Sequence, residues 1–339
     1  RRACHQRQAV DVEAAQARQA LGQQGRAGHV GDHAGEVAHA RSLADPAGFW
    51  GEAAALVDWV TPPERVLDDS AAPLYRWYVG GQLNTCANAL DRHVGAGRGD
   101  RIALIHDSAY TGKVTRMTYA ELLEEVALFA GALRRLGVER GDRVIIYMPM
   151  VPEALIAMLA CARLGAVHSV VFGGFSAESI RDRVNDAKSK AVITMDGGYR
   201  RGKFLALKQT VDEGVKDCPT CAHVLVLQRH PGKPDAGCGM QAGRDVWYHE
   251  AAAQVTDRCE AVQQEANEML FLLYTSGSTG KPKGIMHSVG GYMVHAYSTN
   301  KYVFDLRGDD LFWCTADVGW VTGHTYVVYG PLLNGSTVL

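Results

Sequence analysis

Residues 274 to 284, Tyr-Thr-Ser-Gly-Ser-Thr-Gly-Lys-Pro-Lys-Gly, follow directly on the apolar run Met269-Leu-Phe-Leu-Leu273. A strand that opens into glycines, hydroxyls and ammonium groups suits a polyphosphate. Gly277 and Gly280 let backbone N–H groups approach the anion, Thr275, Ser276, Ser278 and Thr279 add hydroxyl donors, and Lys281 brings compact positive charge. ATP is the natural occupant. The Walker loop is the competing reading, and it requires four residues between its glycines and Lys-Ser/Thr at its end. Here Gly277 and Gly280 enclose only Ser278 and Thr279, and Pro282 follows Lys281. A flexible Gly/Ser surface linker is the bland alternative, and such linkers rarely follow a buried strand.

Three further stretches carry polar or glycine-rich chemistry at the ends of strand-like runs. Phe172-Gly-Gly-Phe175 is one, and it suits a ligand lying beyond the carboxyl end of a strand as well as it suits a plain tight turn. Asp196-Gly-Gly-Tyr-Arg-Arg-Gly-Lys203 clusters Arg200, Arg201 and Lys203 around Gly202. Guanidinium groups grip phosphate bidentately, so this cluster reads either as a second phosphate site or as a solvated basic loop. In Ala316-Asp-Val-Gly-Trp-Val-Thr-Gly-His-Thr-Tyr326, Trp320 beside a glycine suits the wall of a small apolar pocket, with Thr322 as a polar handle at its mouth, or else an ordinary core position, the more common fate of a tryptophan. His324 has no nucleophile at a productive spacing and reads as a structural histidine.

The elements that must position these stretches alternate. Thr118-Tyr-Ala-Glu121 is a capping box that starts a helix running to Leu136 and ending at Gly137. Strands are expected at Arg101–Ile105, Arg143–Tyr147, Ala166–Phe172, Ala191–Thr194 and Val224–Leu227, with helices at Glu153–Leu164, from Ser176 and from about Lys208. Strand–helix alternation implies an α/β fold of mostly parallel sheets covered by helices. Residues 1–40 lack aromatic residues, Ser and Thr and are expected to be foreign to the fold or disordered. Residues 41–100 read as an N-terminal segment, and 101–339 as the domain holding the phosphate stretch. A net charge of -2 offers no basic field for nucleic acid, and no apolar run suits a membrane span. The 8 scattered cysteines argue for reduced thiols and a cytoplasmic setting. Cys218-Pro-Thr-Cys221 lacks a second close ligand pair and reads as a loop rather than a zinc site.

Together, residues 172–175, 196–203, 274–284 and 316–326 resemble the AMP-forming short-chain acyl-CoA synthetases of the adenylate-forming superfamily, those using acetate in particular. The resemblance implies that ATP and acetate give an acyl-adenylate and pyrophosphate, after which CoA yields the thioester and AMP. Thr275 to Lys281 would bind the ATP phosphates, with Lys281 and Thr279 catalytic. Arg200, Arg201, Gly202 and Lys203 would hold the 3′-phosphate of CoA, Thr322 would touch CoA at its entry, and Trp320 and Val321 would line the acyl pocket. Lys203 stands where many family members carry arginine, and it offers a point charge without the fork. A propionate-using relative and a non-catalytic ATP-binding module are the alternatives. The ligand of Mg²⁺, the ribose- and adenine-binding motifs and the mobile C-terminal domain would lie beyond Leu339, so the chain reads as a fragment, inactive by itself.

Overall fold

The computed structural model describes residues 31–200, 202–230, 238–275 and 282–339. Its main sheet is built from β1 (Arg143–Met148), β2 (Val167–Phe172), β3 (Ala191–Met195), β4 (His223–Leu227), β5 (Asp245–Trp247), β6 (Met269–Thr275) and β7 (Lys283–Ser288), in the spatial order β5-β4-β3-β1-β2-β6-β7. All neighbours are parallel except β6 and β7. The central strands are near-continuous apolar runs because both faces are covered: Val144, Ile145 and Ile146 of β1 and Val192 and Ile193 of β3 are wholly buried.

The crossovers fix which face each helix covers. From β1 the chain passes through α2 (Pro152–Leu164) to β2 on one side, then through α3 (Ala177–Ala187) to β3 on the other side of β1. Right-handed connections in opposite directions put α2 and α3 on opposite faces. Outside α2 packs α1 (Tyr119–Arg135), whose Leu122, Val126, Phe129 and Leu133 recur at helical spacing and are all buried. Its capping box forms as expected: Glu121 N–H donates to Thr118 Oγ1 at 3.2 Å, and Thr118 N–H donates to Glu121 Oε2 at 2.7 Å. Gly137, just past the end of α1, takes φ +76, where a side chain would be strained.

At the far end of α2, Arg163 is fully buried and its guanidinium lies across Asp91 at 2.8 and 3.1 Å, with Nε donating to the Cys259 carbonyl at 2.5 Å. This ties the sheet-covering helix to the irregular helical stretch containing residues 87–91.

Two features depart from the sequence expectation. The strand expected at Arg101–Ile105 runs over Ile102–Ser108 and belongs to a separate four-stranded sheet, paired antiparallel with Lys113–Thr118 and parallel with Thr337–Val338. The phosphate stretch was expected as a loop through Gly284, yet Lys283 and Gly284 already lie in β7, with Thr275 opposite Lys283. It therefore joins two antiparallel strands. The helix Gly31–Ala44 crosses the composition boundary expected at Arg41, and residues 1–30 lie outside those described.

Candidate functional site

At the carboxyl ends of β1, β2 and β3 opens a cavity of about 300 Å³ lined by Pro149, Phe172, Tyr199, Arg200, Arg229 and Asp317, among others. This is where ligands sit in open parallel sheets. Phe172, the last residue of β2, is its organiser. The Arg200 guanidinium lies 4.4 Å from the centroid of the Phe172 ring, and the Trp320 ring packs on the same side chain at 6.1 Å. Residues far apart in sequence thus share one aromatic surface.

Arg200 reaches Phe172 from the hairpin Gly198–Leu205, in which Arg200 pairs with Lys203. Its path runs over Gly174, where a Cβ would fall 2.1 Å from Nη1, and Gly174 has φ +153. The backbone conformation favours glycine there, and a side chain would also push the Arg200 guanidinium off its path. Lys203 and Gly202 are exposed on the hairpin, and Arg201 lies outside the described residues. Tyr199 on the same hairpin stacks on Tyr110 at 5.5 Å.

Asp317 opens the turn that carries Trp320. Burial pushes its carboxyl up, while the Gly319 N–H, donated at 2.7 Å, and the Arg200 charge draw it down. The turn is tight against β2, since a Cβ on Gly319 would lie 3.1 Å from Phe172 Cα and one on Gly323 would lie 2.1 Å from the Asp317 carbonyl. Trp320 is 49% exposed, Val321 is half-buried and Thr322 is exposed. The structure therefore gathers Phe172–Phe175, Arg200, Lys203 and Trp320–Thr322 at one end of the sheet. Thr275 is exposed at the end of β6, whereas Ser276, Gly277, Ser278, Thr279, Gly280 and Lys281 lie outside the described residues.

Asp196 was part of a recognised motif but had no assigned task. It is buried at the end of β3, where its carboxylate accepts from the backbone N–H groups of Gly197 at 2.9 Å, Arg229 at 3.1 Å and His230 at 2.6 Å. That clamp sets the cavity wall containing Arg229, whose guanidinium pairs with Glu153. Tyr110, Arg229 and His230 carry no local motif and were not expected from the sequence. Cys218 and Cys221 donate to the carbonyls of Gly214 at 3.4 Å and His223 at 3.6 Å, and burial pushes both thiols up.

Among the described residues no cluster of three or more His, Cys, Asp or Glu side chains is placed to hold a metal ion. No helix among them is long and apolar enough to cross a membrane.

Residues 90–339 match the family model described as AMP-binding enzyme, and residues 36–89 match that described as acetyl-coenzyme A synthetase N-terminus. The chain is 52% identical over 307 residues to an acetyl-coenzyme A synthetase of Deinococcus radiodurans, covering 90% of this chain and 46% of the relative. It is 50% identical over 301 residues to acetyl-coenzyme A synthetase 2 of Pseudomonas aeruginosa, covering 88% and 46%. The acetoacetyl-CoA synthetase from Streptomyces lividans superposes with a TM-score of 0.79 at 32% identity, over 88% of this chain and 45% of that one. The chain spans about half the length of the curated relatives it matches.

Proposed function

Because the chain belongs to the family of AMP-binding enzymes, we propose that it serves AMP-forming acetate–CoA ligation. An acetate oxygen attacks the α-phosphorus of ATP, the bond to the leaving phosphates breaks, and acetyl-adenylate and pyrophosphate result. The CoA sulfur then attacks the acetyl carbon, the acyl–oxygen bond breaks, and acetyl-CoA and AMP are released. No protein nucleophile is consumed. The contribution asked of the chain is orientation and charge neutralisation at phosphate.

The observation that carries this reading is the convergence of Arg200 and Trp320 on Phe172. A guanidinium that lines the cavity and an exposed indole thereby pack on the same Phe172 ring. In this reading Arg200, Arg201, Gly202 and Lys203 hold the 3′-phosphate of CoA, Thr322 contacts CoA where it enters, and Trp320 and Val321 bound a pocket for a methyl group. Thr275 to Lys281 bind the ATP phosphates, with Lys281 and Thr279 acting on the transferred group. The described residues do not form a metal cage, and Mg²⁺ is assigned to the ATP phosphates, which it commonly prefers to an all-protein site. That these relatives are acetyl-coenzyme A synthetases supports acetate over propionate.

Two substitutions test the assignment in a protein of the relatives' full length. Lys281→Ala is expected to slow acetate-dependent ATP–pyrophosphate exchange about a hundredfold with an unchanged melting temperature; unchanged exchange removes the loop from the chemistry. Arg200→Ala is expected to raise the KM for CoA roughly ten- to a hundredfold, the loss of a charge-assisted contact, while exchange stays within about twofold. Dephospho-CoA is the control. If Arg200→Ala weakens it as much as CoA, the 3′-phosphate assignment fails.

A further inference from the structure

Behind the cavity, under the turn that carries Trp320, lies a buried aromatic stack. The His324 ring, with no exposed surface, packs on Phe271 of β6 at 4.5 Å and on His168 of β2 at 5.4 Å. These two strands run on to the site: β6 leads into the phosphate stretch at Thr275, and β2 ends at Phe172. Phe271 also stacks on His287 of β7 at 4.2 Å, and His168 Nε2 meets the Tyr329 hydroxyl at 2.6 Å.

His324 Nδ1 lies 3.0 Å from the carbonyl of Trp320, which also accepts the backbone N–H of His324 at 3.0 Å. A carbonyl oxygen can only accept, so Nδ1 carries the proton. His324 Nε2 is then an unprotonated, buried acceptor, and it meets no hydrogen-bond partner among the described residues. Holding such an atom away from water typically costs about 1–3 kcal/mol. A residue kept for packing alone would be better served by phenylalanine or leucine. What histidine adds is the second bond to the Trp320 carbonyl, at the point where the chain leaves the turn and enters the helical stretch beginning at Val321.

We propose that His324 is a positioning residue for the acyl-pocket turn: its Nδ1–H fixes the Trp320 carbonyl, and its ring seats that turn on the two strands that deliver Phe172 and the phosphate stretch. The link to acetate rests on the ligase reading above. The imidazole works as a neutral donor. Burial and the neighbouring His287 hold its pKa down near 3, against the opposing pull of the Trp320 and Val318 carbonyls.

Two variants separate the bond from the packing. In His324→Asn the amide Nδ2–H takes the place of Nδ1–H, and the ring is lost. In His324→Phe the ring face is kept, and the donor is lost. Both are made in a protein of the relatives' full length, and two quantities are read. Amide hydrogen exchange over residues 318–326 is expected to speed at least tenfold in His324→Phe and by less than threefold in His324→Asn, even if His324→Asn melts lower from the cavity it creates. The KM for acetate in ATP–pyrophosphate exchange, which does not depend on the folded fraction, is expected to rise about tenfold in His324→Phe and stay within about threefold in His324→Asn, with the KM for ATP within twofold in both. Exchange that follows ring loss instead of donor loss overturns the positioning role whatever the activity does. Exchange as expected with an unmoved acetate KM overturns the link to the acyl pocket. A wild-type protein without acetate-dependent exchange overturns the ligase reading, and amide exchange still decides the role of His324.

Discussion

Acidification from pH 7 to pH 4.5 is expected to remove about 5 kcal/mol of folding stability through His324 and His93, with His168 adding in the same direction, a large part of the stability of an ordinary domain. Three buried histidines carry the effect. Burial holds His324 down to about 3, His93 down to about 4 and His168 well below its ordinary value, with nearby cationic or imidazole groups adding to each. The fold keeps all three neutral, whereas an unfolded chain protonates them from about pH 6.5 downward. The unfolded state then binds more protons, so stability is full above about pH 6.5 and falls as the pH drops toward each folded value. The slope is at most about 1.4 kcal/mol per histidine per pH unit. Asp317 and Glu125, whose carboxyls burial pushes up, act in the opposite direction over the carboxylate range. Urea midpoints measured at pH 7, 6, 5 and 4.5 decide the matter. A flat profile below pH 6.5 would show that these imidazoles are hydrated in the fold.

The second large effect is an asymmetry at one ion pair. Asp91→Ala is expected to cost about 3–5 kcal/mol, and Arg163→Met clearly less. The Arg163 side chain has no exposed surface, whereas that of Asp91 is 30% exposed. Removing Asp91 strands a guanidinium that water cannot reach, with Glu260 at 3.9 Å and 81% exposed as a poor substitute. Removing Arg163 leaves a carboxylate that can rehydrate, and methionine fills most of the vacated space. Urea unfolding of both variants checks this, and equal losses would mean that packing, not charge, dominates the pair.

Legibility in the sequence followed the strength of local signals. α1 could be read to within a residue at each end because a capping box and a left-handed glycine mark its limits, and α2 because Pro152 and Gly165 do the same. Lys113–Thr118 could not. It is an edge strand whose first four residues are exposed, so its sequence carries no apolar alternation. β7 escaped for a related reason, as Lys-Gly-Ile-Met-His-Ser has only two large apolar residues and forms its ladder on one side. In the site, Arg200 and Trp320 were legible from their motifs, but their shared contact with Phe172 is tertiary. Tyr110 and Arg229 reach the cavity only because a second sheet and the Asp196 clamp bring them there.

The pairing of Thr275 with Lys283 has a thermodynamic consequence. The stretch after Thr275 therefore leads directly into a strand that pairs back on β6, and the two chain positions flanking it, Thr275 and Lys283, are held opposite each other. Closing a segment of that length costs on the order of 2 kcal/mol of chain entropy, growing only with the logarithm of its length. Cross-strand hydrogen bonds between β6 and β7 offset that cost during folding, before any anion arrives. In the ligase reading proposed above, that closure is a cost the ATP phosphates do not have to meet on binding, and more of the contact energy remains as affinity.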